Sequence, residues 1–471
     1  MALSSTPDFS TSNIQHHQPP VHKHTQHSSV SGGCLPVASM LRRIPISRTL
    51  RAQPQLPPCR RSLVTLAIET SCDDTAVAVL SHTQRTNETK ILFNERIASD
   101  NRAFHGIAPN ITVHGHQTTL AQMVRRARAH IPLPDNRPDF VSATRGPGIK
   151  TNLSVGLTLA KGLAVAWDVP LVGVHHMQAH ALTPRLANAI AATQTNAASP
   201  VSVDPKFPFL TLLVSGGHSE LVLSSSLLSH KIIAATRDNA IGNVLDQTAR
   251  VILPASVLAA SKDVMYGREL EAFAFPDSSY DFFTPARSRE QEMNDTLPAE
   301  YPWTVPIPFR ENRKLAYSFA GIHSAVHKIA AANPDMDVEQ RRVLARYTMR
   351  AAFQHLIGRA CIALEDVPGL SDVKTLVVAG GVASNRFLMH VLRSTLDVRG
   401  FGHIQIVAPP AELCTDNAPM IAWAGMEMYR AGYTTDLKAV PLSKWPMDPD
   451  VGCGLLGVDD WIKEEPVDPI E

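Results

Sequence analysis

The stretch LVTLAIETSCDDTAVAVLS, residues 63–81, decides the fold. Two arms of aliphatic and β-branched residues flank a short polar turn, Thr70-Ser71-Cys72-Asp73-Asp74-Thr75, which is the pattern of a β-hairpin. The arrangement returns at FLTLLVSGGHSELVLSS, residues 209–225, around Ser215-Gly216-Gly217-His218. Helical and strand-like segments follow each hairpin. This repetition predicts an α/β protein with duplicated βαβ-rich subdomains and two similar lobes.

Between the hairpins, residues 139–182 read as a strand, a Gly-Pro-Gly turn, a helix from about Asn152 to Ala166, a second strand and a histidine-bearing helix. Residues 187–206, rich in Ala, Thr, Asn and Pro, read as a linker, and 276–312, with many prolines and mixed charge, as a surface insertion. A long amphipathic helix is expected over 337–366. The segment 374–396 then reads as a buried strand, a Gly380-Gly381 turn and a helix. The chain thus divides into a first lobe at 62–206, completed by about 417–435, a second lobe at 207–416, and an exposed tail at 436–471.

With 471 residues, 44% hydrophobic and 18% charged, the composition suits a globular protein with more than one core, and no apolar run is long enough to span a membrane. The net charge of +1 confines any nucleic-acid surface to a local patch. Six scattered cysteines with no CxxC pair argue for a reducing compartment and against a disulfide framework. Residues 1–61 differ in character. Asp8 is the only acid before Glu69, and SMLRRIPISRTLRAQ is Arg- and Ser-rich, as mitochondrial presequences are. The His-, Ser-, Gln- and Pro-rich residues 1–35 lack periodicity and read as disordered.

Chemistry concentrates in HHMQAH at 175–180 and CTDN at 414–417. His176 and His180 stand four apart, so a helix from about Met177 would project both imidazoles from one face. Asp416 follows the strand-like GHIQIVAPP in a polar loop, where its carboxylate can complete a His–His–Asp set with open positions suited to a Lewis acid. Taken alone, the pair reads more readily as a polar helix face, and the surroundings overturn that reading. HMQAH also lacks the glutamate that a HExxH peptidase uses as its base. The turns Ser215–His218 and Gly380-Gly381, the latter before a helix start near Ala383-Ser384-Asn385, have the backbone access that phosphates need. Asp73 and Asp74 sit at a hairpin tip, as catalytic carboxylates do, although a solvated acidic turn fits the composition as well. His114 and His116 add imidazoles. Arg125, Arg126 and Arg128, and the stripe Arg342, Arg346 and Arg350, are basic clusters that fit either RNA phosphates or a solvated face.

The strings AIETSCDDTAVAV, TRGPGIKTNLSVGLTLAKGLA, VHHMQAH, LLVSGGHSEL, SFAGIHS, VVAGGVASNR and CTDNAPMIAWAG, in this order over about 63–432, resemble the motifs of the TsaD-type tRNA threonylcarbamoyladenosine synthase family, in its mitochondrial branch. The resemblance implies a two-lobed actin/Hsp70/sugar-kinase-like fold with a nucleotide and a metal in a central cleft. It implies transfer of a threonylcarbamoyl group from threonylcarbamoyl-AMP, made by a separate synthase, to the exocyclic amine of the adenosine beside the anticodon in tRNAs reading ANN codons. It places one divalent metal, zinc or iron, on His176, His180 and Asp416. ATP, AMP or the acyl-adenylate falls on Ser215, Gly216, Gly217, His218, Asp246, Gly267 and Asn385, at the same cleft as Gly380 and Gly381, with Asp73 and Asp74 as the catalytic carboxylates. A homodimer in the mitochondrial matrix is expected. The chain departs from the family pattern at Asp74 (usually Glu), Asn243 and Gln247 (usually Glu and Lys), Asn110 (usually an acid), and in MYGREL at 265–270, which keeps only Gly267 of the usual YPGGP turn. The alternative readings are an Hsp70-like ATP-binding module or a small-molecule kinase of the same fold.

Overall fold

In the computed structural model, residues 62–83, 86–104, 106–132, 136–194, 203–262, 264–294 and 301–467 are described. The presequence expected over 1–61 lies outside them. The first hairpin forms as β1 (Leu63–Glu69) and β2 (Asp74–Thr83), and β3 (Glu88–Ala98) extends it antiparallel. Both faces of β1 are buried, which is why it reads as an unbroken apolar run rather than an alternation. Helix α1 (Pro109–Arg128) leads to β4 (Phe140–Gly146), parallel to β1, and α2 (Lys150–Trp167) leads to β5 (Leu171–His175), parallel to β4.

The second hairpin repeats this plan. β6 (Phe209–Val214), β7 (Ser219–Ser224) and β8 (His230–Ala235) form an antiparallel meander, β9 (Thr375–Ala379) adds parallel to β6, and β10 (Gln405–Val407) adds parallel to β9. From the antiparallel edge inward, the orders are β3-β2-β1-β4-β5 and β8-β7-β6-β9-β10, the same sequence and the same directions. This duplicated α/β plan is the actin/Hsp70/sugar-kinase-like architecture. Two short strands, β11 (Tyr433–Thr435) and β12 (Trp461–Lys463), extend the first sheet beyond β5.

One core spans both sheets. Ala67, Phe140 and Val174 from the first and Phe209, Leu213 and Val377 from the second join Met177 and Leu182 of α3 (His176–Gln194). The core on the second sheet's other face draws apolar side chains from α4 (Ile241–Ile252), α5 (Ala255–Ala260), α6 (Gly267–Ala274), α8 (Ala320–Ala332), α9 (Val338–Asp366) and α10 (Arg386–Val398), with the short α7 (Arg289–Asn294) between α6 and α8 in chain order. α11 (Ala411–Cys414) and α12 (Ala418–Arg430) close the order, and α12 packs Met420 and Trp423 into the shared core. Asp337 begins α9 with a capping box, its carboxylate taking the Gln340 N–H at 2.8 Å.

Three expectations need correction. The linker expected at 187–206 is helical as far as Gln194, because Ala189 and its neighbours find a buried surface. Residues 276–312 do not lie on the surface alone: Phe283 and Val305 are core residues, and Arg399 ties buried Glu292 to α10 at 3.3 Å. Nor do residues 436–467 hang free as a tail. Trp445, Met447 and Leu455 are buried in the shared core, and β12 pairs with β11. A few large apolar side chains anchor a loop whose composition still looks exposed.

Candidate active site

The two ends of β1 and β5 build the site. β5 runs straight into α3, so His176 opens the helix and His180 stands one turn later. Their rings meet edge to face, with centroids 4.7 Å apart. Asp416 lies in the two-residue gap before Asn417, whose carboxamide caps α12 by accepting the Met420 N–H at 2.9 Å. The cap fixes the loop, and Asp416 Oδ1 sits 3.1 Å from His180 Nε2 and 3.4 Å from His176 Nε2. The three candidate ligand atoms all lie within 4.8 Å of one another.

Glu69, at the buried end of β1, reaches His176 Nδ1 at 3.2 Å and also accepts from the Ser71 N–H and the Thr144 hydroxyl. A carboxylate behind one imidazole nitrogen turns the other toward Asp416, the usual support of a metal-binding histidine. Burial opposes a charge on His176, yet Asp416 and Glu69 overcome it and carry the imidazole up to about 10. Burial likewise pushes Asp416 up, but His176 and His180 prevail and hold it well below the usual carboxylate range. A proton thus holds the cluster together, and a divalent cation competes for the same lone pairs. Two imidazoles and a carboxylate, backed by Glu69, form a donor set that fits zinc or ferrous iron.

Asp73 and Asp74 are both buried at the hairpin tip, so the solvated-turn reading does not hold. Asp74 Oδ2 pairs with Arg96 at 3.2 Å, while its Oδ1 is buried with no hydrogen-bond partner. Burial lifts Asp74 to about 7; Arg96 pulls it back, and Asp73, Asp416 and Glu69 add to the rise. Arg96 also donates to Thr415 Oγ1 at 2.8 Å, joining the tip to the loop of Asp416. His116 is buried beneath, 2.7 Å from Thr75 Oγ1 and 3.0 Å from the Cys72 carbonyl, and so supports the tip; His114 is exposed.

The second hairpin tip faces the same cluster. Burial, helped by His176 and His180, pushes His218 down to about 4, which keeps it neutral. Ser215 Oγ accepts the N–H groups of Gly217 and His218 at 3.3 and 3.0 Å, and Gly216 and Gly217 remain exposed. Gly380, at φ +97°, backs onto Val214 and Ser215, where a Cβ would strike the Val214 carbonyl. Gly242, at the start of α4, packs on Ser215 with equal closeness. These contacts bring the two glycine turns together with a helix N-terminus. Asp246 Oδ1 accepts the Gly267 N–H at 2.9 Å, and Asn385 caps α10 by accepting from Leu388 at 2.9 Å. Asn243 and Gln247 both bond Asn239, at 2.7 and 3.4 Å, so neutral amides close on one another here.

The arginine stripe of α9 is not a free basic face. Arg342, Arg346 and Arg350 lie over Phe273, Phe275 and Phe282, and Arg346 donates to the Ala274 carbonyl at 2.8 Å. Arg126 is forked onto Glu95, whereas Arg125 and Arg128 stay exposed. Sequence reading passed over Glu69, Arg96 and Gly242. An acid closing an apolar strand was a signal for Glu69; nothing local marked Arg96.

A family model described as tRNA N6-adenosine threonylcarbamoyltransferase matches residues 90–423. The chain is 37% identical over 422 residues to the mitochondrial tRNA N6-adenosine threonylcarbamoyltransferase of Schizosaccharomyces pombe, covering 86% of this chain and 90% of that one. It is 33% identical over 387 residues to the tRNA N6-adenosine threonylcarbamoyltransferase of Novosphingobium aromaticivorans, covering 81% and 95%. The crystal structure of T. kodakarensis HypF overlaps 79% of this chain and 48% of its own at 14% identity and a TM-score of 0.41, too little to add to the topology above. The chain belongs to the TsaD family of tRNA N6-adenosine threonylcarbamoyltransferases.

Proposed function

We propose that this transferase moves the threonylcarbamoyl group of threonylcarbamoyl-AMP to the exocyclic amine of the adenosine beside the anticodon in mitochondrial tRNAs that read ANN codons. The observation that carries the reading is the buried Asp74 carboxylate, with one oxygen unpaired, beside a converging His176, His180 and Asp416. The three ligands would hold one zinc or iron ion, which when bound supplies Lewis-acid polarisation of the carbamoyl carbonyl. Asp74 accepts the amine proton through Oδ1 as the nitrogen–carbon bond forms. The bond between the carbonyl carbon and the phosphate oxygen breaks, and AMP leaves with its electron pair. Asp73 shares the tip and adds negative charge beside the base.

The turn Ser215, Gly216, Gly217 and His218, with Gly380 and Gly381, offers N–H groups to the AMP phosphate, and His218 stays neutral there. Asp246, Gly267 and Asn385 lie on the nucleoside side. A separate synthase supplies the acyl-adenylate, and the protein acts as a homodimer. The mitochondrial designation of the Schizosaccharomyces pombe relative supports a mitochondrial location, and the matrix is the compartment proposed here. The repeated sheet orders support lobes at 62–206 with 417–435 and at 207–416, since α12 and β11 both join the first sheet. Among the described residues no helix is long and apolar enough to cross a membrane.

Nucleoside mass spectrometry tests the reading. Unmodified ANN-reading tRNA, threonylcarbamoyl-AMP, a divalent metal and this protein should yield threonylcarbamoyladenosine. His180→Ala should lose both the metal and the product. Metal and transfer surviving that change together would show the ligand assignment to be wrong.

A further inference from the structure

The cap on the ligand-bearing helix comes from a residue with no role so far. β5 ends at His175 and α3 begins at His176. His175 is buried, and both of its ring nitrogens have partners. Nε2 lies 2.6 Å from the Trp445 carbonyl, and Nδ1 lies 3.3 Å from the Gln178 N–H. A carbonyl can only accept and an amide N–H can only donate. One protonation state satisfies both contacts, with the proton on Nε2 and the lone pair on Nδ1. That lone pair takes an N–H of the first turn of α3, one of the donors a helix leaves without a partner.

The Trp445 carbonyl is itself held in place. The indole packs on His175 with centroids 4.6 Å apart and donates to the Gly454 carbonyl at 3.0 Å. Buried Arg145 lies 5.4 Å over the indole, pairs with Asp460, and accepts the Leu442 N–H on its own carbonyl at 2.9 Å. The C-terminal segment is therefore fastened to the end of β4 on one side and to His175 on the other.

We infer that His175 is a positioning residue of the metal centre, its tautomer set by the Trp445 carbonyl and its Nδ1 capping α3 so that His176 and His180 point at Asp416. The inference rests on reading those three residues as metal ligands. The full-length protein, stripped of metal and titrated with Co2+, tests it through the visible spectrum of the bound ion, with His180→Ala marking the site. His175→Ala should raise the dissociation constant about tenfold or more, the usual cost of losing a support behind the ligands. His175→Asn, whose carboxamide oxygen can accept the same N–H, should recover most of the affinity. Without metal, the Gln178 amide should exchange with solvent faster in His175→Ala than in the unaltered protein. Should the alanine variant not fold, His175→Leu makes the same comparison. Unchanged affinity in His175→Ala, or an asparagine variant as weak as the alanine one, overturns the positioning role alone. Equal Co2+ binding by the unaltered protein and His180→Ala overturns the ligand set and the positioning role with it.

Discussion

The hairpin tips at 70–73 and 215–218 each leave four residues between their strands, in two copies of one topology. The first is entered by Glu69 and left by Asp74; the second is entered by Val214 and left by Ser219. All four are buried. Glu69 supports His176, whereas Val214 fills the core. Asp74 keeps one oxygen without a partner, whereas the Ser219 hydroxyl accepts the Ile241 N–H at 2.9 Å. One tip gathers charge where little water screens it, and the other strips side chains away and offers backbone N–H groups. Position in the fold says where a site will be; the residues at the strand ends say what it does.

The sharpest way to break this contrast is Asp74→Asn. It keeps the size of the side chain and removes the proposed base, so single-turnover transfer should fall about 10²–10⁴-fold with metal content unchanged. Ser219→Ala, at the matching position, should leave the chemical step nearly intact. A smaller effect is expected at Gly217. A Cβ there meets nothing within 4 Å, so Gly217→Ala should melt as the unaltered protein does. If the tip holds phosphate, the KM for threonylcarbamoyl-AMP should still rise roughly tenfold, the cost of about one charge-assisted hydrogen bond.

The smallest effect concerns pH. If Asp74 is the base, its working form is the carboxylate, and kcat/KM should climb with pH and level off above about 7. Arg96→Met removes a positive charge that favours that form and should move the rising limb to higher pH. The Arg96 side chain is 46% exposed and partly screened. The loss should therefore be only roughly two- to five-fold at neutral pH, vanishing in alkali.

Much of this was legible from local pattern. The hairpins, the helix at 337–366 and the histidines at helical spacing follow from periodicity and turn chemistry, which neighbours in sequence determine. The Asp416 loop was legible as polar, but its convergence on His176 and His180 depends on α12 packing beneath the first sheet. Arg96 sits near the end of β3 with nothing around it to mark it; its role comes from Thr415, 319 positions away. Trp445 lies in a Pro- and acid-containing stretch whose average polarity hid one buried indole. The α9 arginines misled for the opposite reason, since their spacing gave a stripe while Phe273, Phe275 and Phe282 had already claimed it.

The join between β5 and α3 has no spacer residue. Each residue of an α-helix turns the chain by about 100° and advances it about 1.5 Å. One residue gained or lost at this join would therefore swing both imidazoles together away from Asp416, which hangs from a distant part of the chain. Side chains along 171–174 can change while the strand holds, but the number of residues between them and the imidazoles cannot. For residues 171–180, length should be inherited more strictly than composition, and insertions should collect instead in the surface loops that no ligand depends on.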